Sequence, residues 1–464
     1  MIELRPYQTA LISGVYGHYH QKTLRVLLQL PTGGGKSLTC SRIIGDAVEK
    51  RNSVFVIAHR TELIQQMHHT LARVGIHSGI IKAGVKPTPS RVQVASIQSL
   101  ARRLHNYRDF NPGLIVIDEC HHLTLGNQYK TVLDAYPDAF VLGLTATPTR
   151  LDGKGLGDYF QALVHGPQLH ELVEQGFLVP PSYFVGASVT GDRALHTKMG
   201  DYSIKDMGEA VSELRLEGDL VAEWRRHADG LQTVVFAVNV AHSEAIVDAY
   251  AHAGIPAAHL DGTTPDITRK RILADFAAKR IKVLSNVGIV TEGFDVPEIG
   301  CVQLARPTKS VSLYYQMIGR ALRPALGKTE AIILDHAGCY ETHGNVLTPY
   351  YWSLKGTKPK EARANWDESE TEPSEKKERI ITHDGKEILV KISFDLENAW
   401  LDELKRLQRV CTEKDYKPGW IAHRMIERFG QSQTVEQFRV LAKVCGYHWK
   451  WADRQVELKE KAIA

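Results

Sequence analysis

Nowhere does the 464-residue sequence hold an apolar run long enough to cross a bilayer as a helix, which takes about 18 to 20 residues. Its first residues, MIELRPYQTALI, lack the basic start and apolar stretch of a secretory signal. Neither membrane insertion nor secretion is expected, and the expected compartment is cytoplasmic. Cysteine is scarce: Cys40, Cys120, Cys301, Cys339, Cys411 and Cys445 stand singly, with no C-x-x-C pair of the kind that holds structural zinc or forms a redox centre. Strong charge of either sign is also missing, since 57 Lys and Arg against 53 Asp and Glu leave a formal +4. Total charge therefore neither announces nor excludes a polyanionic partner, for which a local basic surface is what counts.

What is present is an ordinary globular composition and more length than one core uses, since single cores stop growing at roughly 250 to 300 residues. Two series of short apolar runs alternate with amphipathic stretches. The first holds VLLQL, SVFVIA, VQVAS, LIVIDE and FVLGLTA; the second holds TVVFAV, AAHLDG, IKVLSN, CVQLAR and AIILDH. Continuous Val, Ile and Leu rather than strict alternation marks strands covered on both faces, hence parallel sheets flanked by helices. The expected fold class is α/β: two tandem parallel-sheet domains over 1–180 and 181–353, a charged linker over 354–378, and a small C-terminal hairpin and helical module over 379–464. The hairpin is read from ERIITHDGKEILVKI around Asp384-Gly385. Pro180-Pro181 reads as a stiff crossing between domains, and 191–218 as a partly helical insertion.

QLPTGGGKSLTC follows directly on the first buried run. Gly33, Gly34 and Gly35 let the backbone bend so that successive N–H groups face a polyphosphate. Lys36 adds charge for the β- and γ-phosphates, and the Ser37 hydroxyl can ligate Mg²⁺ where the next helix begins. The general spacing G-x-x-x-x-G-K-[ST] asks for glycine at position 30, which is Leu30 here; Pro31-Thr32-Gly33 stands in for it.

The second cluster is VIDECHH, residues 116–122. Asp118 ends a buried strand, at the edge where open α/β sheets bind ligands, and can hold Mg²⁺ there, partly through water. Glu119 can orient and deprotonate the attacking water. A phosphate loop followed by a strand-end Asp-Glu points to nucleotide hydrolysis. The competing view, a zinc-binding DNA module or metal-dependent nuclease, requires convergent ligands, whereas neighbours along a strand point to opposite faces.

These residues resemble the superfamily 2 helicases and translocases from about Leu4 to Ile333. LRPYQ (Arg5, Tyr7, Gln8) resembles the adenine-reading segment, PTGGGKS motif I, AHRTEL motif Ia, DECH motif II, TAT motif III, VFAVNVAHSEAI motif IV, NVGIVTEGFDVP motif V and QMIGRALR motif VI. Longer phrases such as RPTKSVSLYYQMIGRALRPALGKT resemble bacterial RadD-type DNA-repair ATPases and related phage-encoded DNA helicases. The resemblance implies RecA-like domains, ATP and Mg²⁺ as cofactors, and DNA, single-stranded, duplex or branched, as partner. It gives His121 a link from the ATP site to motif III and Gln316, and gives Glu292, Gly293 and Asp295 ribose, water or metal contacts in motif V. His122 falls outside that motif and reads as a packing or capping residue. An RNA helicase remains the alternative within the class, and a monomer is expected.

Two sheets with one phosphate loop suggest a nucleotide in the cleft between them. Arg320 and Arg323, three apart on a predicted helix, share a face there and can reach the γ-phosphate. For the nucleic acid, Arg60, Thr61, Ser96, Gln98, Ser99 and Thr291 are polar groups expected at loop positions and suited to phosphate contacts. Lys417, Trp420 and Arg424, with His423 and Arg428, combine basic and aromatic groups along a predicted tail helix.

Overall fold

The computed structural model describes residues 4–123, 128–150, 153–186, 197–198, 201–204, 206–207, 217–290, 296–350, 352–356, 389–392, 421–422 and 425. The chain divides into two compact units. The larger comprises Met1–Pro167, Glu171–His343 and Trp352–Ile392; the smaller comprises Gln168–His170, Gly344–Tyr351 and Ser393–Ala464.

The larger unit holds two sheets. The first is built from β1 (Arg25–Gln29), β2 (Ser53–Ala58), β3 (Ser78–Ile81), β4 (Val92–Ser96), β5 (Pro112–Asp118), β6 (Phe140–Thr145) and β7 (Ala162–His165). All are parallel, in the order β3-β4-β2-β5-β6-β1-β7. Alternate residues of one strand serve opposite layers. Val54 and Val56 of β2 join Ile43, Ile44 and Ile64 on one face, while Phe55 and Ile57 join Leu100, Tyr129 and Phe160 on the other. Continuous apolar runs are what such two-sided burial requires, each large side chain contributing about 1.5 to 3 kcal/mol.

The second sheet contains β8 (Pro181–Val185), then β11 (Gln232–Phe236), β12 (Ala257–Leu260), β13 (Val283–Asn286), β14 (Ile299–Leu304), β15 (Ala331–Asp335) and β16 (Val390–Ile392); a short antiparallel ribbon, β9 (Thr197–Lys198) and β10 (Asp201–Tyr202), precedes them in the chain after β8. The order is β12-β13-β11-β14-β15-β8-β16, parallel except for β16. Pro181 opens β8, the position in a strand where proline is tolerated, so the Pro-Pro pair leads straight into the sheet. Val390–Ile392, read from the sequence as part of the C-terminal hairpin, forms the strand beside β8; Asp384-Gly385 lies outside the described residues. Trp224, on the helix Glu217–His227, anchors one layer by donating its indole N–H to Thr233 Oγ1 at 2.6 Å.

In the smaller unit, Asn345 Oδ1 accepts the Leu347 N–H at 2.9 Å to close a turn, and Ile421, Ala422 and Met425 are helical and buried. No helix among the described residues is long and apolar enough to cross a membrane.

Strand order positions the site. Neighbours β5, β6 and β1 end level with one another, Asp118 beside Leu144 and Thr145 beside Gln29. Each is followed at that edge by residues singled out from the sequence: Glu119, the Thr145–Thr147 turn, and the glycine loop.

Candidate functional site

The glycine loop is held by its own backbone. Gly33 and Gly35 both have φ of 86°, and Gly35 precedes the helix Lys36–Glu49. A side chain at Gly35 would also displace Gln8 from the loop, since a Cβ there would stand 2.4 Å from Gln8 Nε2. The loop is braced by the segment before it. Tyr7 OH donates to Gly34 O at 2.8 Å and Gln8 Nε2 to the same oxygen at 3.2 Å. Gln8 Oε1 accepts the Arg5 N–H at 2.9 Å, closing the cap of the helix Pro6–His20. Arg5 lies over the Phe177 ring at 4.2 Å, and Tyr7 meets the same ring edge-on. Phe177 gave no signal in the sequence beyond an isolated aromatic.

Lys36 Nζ reaches Glu119 Oε1 at 2.7 Å, with both side chains largely buried. Glu119 sits in the left-handed region, φ 48° and ψ 52°, which is uncommon for a residue with a side chain. That turn ends β5 abruptly and starts the short helix Cys120–His122, while Asp118 Oδ1 accepts the Glu119 N–H at 3.0 Å. Cys120 turns the other way, into the core with Phe160 and Tyr129. Burial, reinforced by the Glu119 and Asp118 carboxylates, holds its thiol well above the usual range, so it packs as a neutral group and not as a thiolate ligand. Ser37 lies in the first turn after Lys36.

His121 is 2% exposed and tightly specified. Thr145 Oγ1 donates to Thr147 O and accepts the Thr147 N–H, both at 3.1 Å, so its remaining lone pair must accept from His121 Nδ1 at 3.0 Å. His121 Nε2 is then the acceptor for Gln316 Nε2 at 3.3 Å, across from the second sheet. Thr147 Oγ1 makes a short hydrogen bond to Ser312, on the same helix, Val311–Gly319, as Gln316. Ser312 was not foreseen; serine near a helix start is too common to stand out.

That helix also abuts the glycine loop, since a Cβ on Gly319 would meet Thr32 Cβ at 2.7 Å. The expectation that Arg320 and Arg323 share a helix face is corrected. The helix ends at Gly319, Arg320 is its C-cap, and Arg323 lies beyond it. The chain turns because Val179 N donates to Leu322 O at 2.9 Å and Lys328 Nζ donates to Arg323 O at 2.7 Å. Arg323 still arrives at the loop, with Cγ 3.5 Å from where a Gly33 Cβ would be, and Arg320 is 6% exposed.

The residues expected at loop positions for nucleic acid sit instead at helix starts. Arg60 and Ser96 are N-caps, Thr61 opens the helix Thr61–Arg73, and Gln98 and Ser99 lie within Ile97–Arg102. Ser96 Oγ accepts the Ser99 N–H at 3.1 Å, and Ser99 is buried. The Ser96 side chain satisfies an orphan helix N–H, a role that a loop reading overlooks, whereas Arg60 occupies its cap position by backbone alone. Arg60 reaches the second sheet, donating from Nη1 and Nη2 to Gly288 O at 3.1 Å each. Beside it, Arg269 Nη1 pairs with Glu62 Oε1 at 2.8 Å, a link the sequence did not signal. Thr291, Glu292, Gly293, Asp295, Lys417, Trp420, His423, Arg424 and Arg428 lie outside the described residues.

Comparison with known proteins follows the same division. Residues 1–150 match the family described as "Type III restriction enzyme, res subunit", and residues 215–325 the "Helicase conserved C-terminal domain". The chain is 34% identical over 326 residues to a "51.5 kDa protein" of a Lactococcus phage, covering 70% of this chain and 68% of that one. It is 30% identical over 356 residues to a candidate ATP-dependent helicase, IRC3, of Saccharomyces cerevisiae, covering 72% of this chain and 51% of the relative. Among solved structures, a fragment of a candidate HsdR subunit of a type I restriction enzyme from Vibrio vulnificus superimposes with a TM-score of 0.56 at 24% identity, over 72% of this chain and 64% of that one; this likeness concerns the fold. The narrower RadD likeness continues to rest on sequence phrases.

Proposed function

The chain belongs to the superfamily 2 helicases, ATP-hydrolysing enzymes built on two such sheets, and from that premise we propose a motor that couples ATP hydrolysis to movement on or remodelling of DNA, with forked or branched DNA as substrate. The observation that carries the reading is Lys36 Nζ at 2.7 Å from Glu119 Oε1, at a glycine loop flanked by Gly319 and Arg323, which lie between β14 and β15 of the second sheet. A hydrolytic carboxylate, a phosphate-binding lysine and groups from a second body thus meet at one edge.

In this reading the loop N–H groups and Lys36 receive the β- and γ-phosphates, with Arg5, Tyr7 and Gln8 on the purine side. When a phosphate draws the Lys36 ammonium away from Glu119, that carboxylate is released to take a proton from the attacking water. Asp118 and Ser37 are hard oxygen donors of the kind Mg²⁺ takes, and the close-packed, side-chain-free loop beside them fits a metal-bound polyphosphate. Bound there, Mg²⁺ supplies positive charge to the phosphate oxygens. Arg320 and Arg323 stabilise the charge of the transition state, a role commonly worth about 10³ to 10⁵ in rate. His121, between Thr145 and Gln316, reports the state of the site to the second sheet. Gly293 and Asp295 contribute ribose or water contacts, and Arg60, Thr61, Ser96, Gln98, Ser99 and Thr291, with Lys417, Trp420 and Arg424 in the tail, contact the strand.

DNA is favoured over RNA by DECH at 118–121, which departs from the Asp-Glu-Ala-Asp of RNA remodellers, and by the restriction-enzyme description of the first-domain family. The test is ATPase rate with duplex DNA, single strands, forks and RNA compared side by side. Stimulation by DNA, greatest with forks, is expected; stimulation by RNA alone overturns the DNA reading.

A further inference from the structure

β2 and β5 are neighbours in register, Ile57 opposite Ile117. The residues that follow them therefore emerge side by side at the site edge: His59 and Arg60 after β2, His121 and His122 after β5. The rings of His59 and His122 are 4.0 Å apart centroid to centroid, and those of His122 and His121 are 4.1 Å apart. His122 thus lies between two other imidazoles. At one end of the row, His121 Nδ1 lies 3.4 Å from Glu119 Oε2. At the other, Arg60 Nε donates to His59 Nε2 at 3.3 Å, and its Nη1 and Nη2 hold Gly288 O at 3.1 Å. The row is continuous from the hydrolytic carboxylate to an arginine that grips the second sheet's domain just before Thr291.

We propose that His122 and His59 are positioning residues that couple nucleic acid at Arg60 to ATP hydrolysis at Glu119. Arg60 supplies the two-state element that such coupling requires: its guanidinium binds the Gly288 carbonyl or a strand phosphate, since both compete for the same N–H donors. Moving the guanidinium pulls His59 through their hydrogen bond. With rings at 4.0 and 4.1 Å, a shift of one imidazole bears directly on the next, so the displacement passes to His122 and then to His121. His121 is the residue that Thr145, Gln316 and Glu119 surround, and a small rotation there changes how Glu119 is presented to water. The inference rests on the proposed function, because it treats Arg60 as a strand contact and hydrolysis as stimulated by nucleic acid.

The experiment compares parent, His122→Ala, His122→Phe and His59→Ala in the full chain, using fork DNA and a matched single strand as probes. It measures basal ATPase, stimulated kcat, ATP KM, DNA affinity and thermal midpoint. The two alanine variants are expected to lose about 5- to 150-fold of stimulated kcat, the range of ordinary coupling energies, while basal rate, KM, DNA affinity and midpoint stay near parent. His122→Phe, which keeps the ring contact, restores stimulation. Parent-like stimulation in His122→Ala overturns the coupling role. So does equal loss in His122→Phe together with a lowered midpoint, the mark of a structural role only. If no nucleic acid stimulates the parent, the proposed function fails and takes this inference with it; a stimulated parent beside an equally stimulated alanine variant sinks the inference alone.

Discussion

Gly319 lies so close to Thr32 that a Cβ on the glycine would stand 2.7 Å from the threonine Cβ. The helix Val311–Gly319 follows a strand of one sheet and the glycine loop a strand of the other, so in the proposed function this contact sets how near Arg320 and Arg323 come to the nucleotide. Gly319→Ala introduces about 1 to 3 kcal/mol of overpacking, relieved most easily by parting the two segments. The expected result is a drop in ATPase kcat of about 5- to 150-fold with folding preserved, by the usual conversion of strain into rate. A parent-like kcat shows that hydrolysis does not need this approach.

Glu119→Gln keeps the side-chain length, and its amide oxygen can still accept from Lys36. Nucleotide affinity is expected to stay near parent while turnover falls by about 10² to 10⁴, the usual worth of a general base. Equilibrium ATP binding and phosphate release, measured on the same preparation, check this. Near-normal turnover removes Glu119 from the base role.

Arg320→Ala is expected to retain DNA affinity and lose about 10³ in kcat. Because Arg320 is 6% exposed, thermal midpoints must be compared, and Arg320→Lys serves as a second variant that keeps charge without the planar fork. Unchanged kcat in both variants refutes a role across the cleft.

Acid should destabilise the fold in a defined window. Burial lowers the His336 pKa from 6.5 to about 3 and that of His242 to about 4. Both are depressed relative to the unfolded chain, so below pH 6.5 the unfolded state binds more protons. Stability is fully present above pH 6.5 and falls as pH drops toward 4 and then 3, at up to about 1.4 kcal/mol per pH unit for each group. Denaturation midpoints of parent and His336→Leu between pH 7 and pH 5 check this, the variant showing the shallower slope. Equal slopes refute the assignment to His336.

Much of the fold was legible because strands covered on both faces leave continuous apolar runs: SVFVIA, LIVIDE and FVLGLT are β2, β5 and β6 with small shifts at their ends. The described strands that escaped notice were β3, β7 and β8, reading SGII, ALVH and PSYFV, and the two-residue pair β9 and β10, which lies in a stretch expected to be partly helical. β3 and β7 are the two edges of the first sheet. β7 is only half covered, and β3 begins with Ser and Gly, so neither carries the full apolar signal. β8 begins at the second residue of Pro180-Pro181, a pair that by itself reads as a stop and a crossing rather than as the first residue of a strand.

At the site, local chemistry was readable because spacing along the chain governs it. Gly33, Gly35, Lys36 and Ser37 form a loop and helix start by backbone rules alone, and Asp118-Glu119 falls where a buried run stops. The sequence by itself therefore determined the family and where along the chain the glycine loop and the strand-end carboxylates fall. The meeting of Gln316 with His121 was already implied by the family resemblance; only the tertiary structure decided the others, Arg323 beside Gly33, Arg60 on Gly288, and His122 between His59 and His121. Those meetings follow from the register of β2 against β5 and from one helix packing on a loop nearly three hundred residues earlier, as the numbers of Gly319 and Thr32 show. Such long-range packing depends on how all the intervening layers fill space, and spacing between neighbours does not record it.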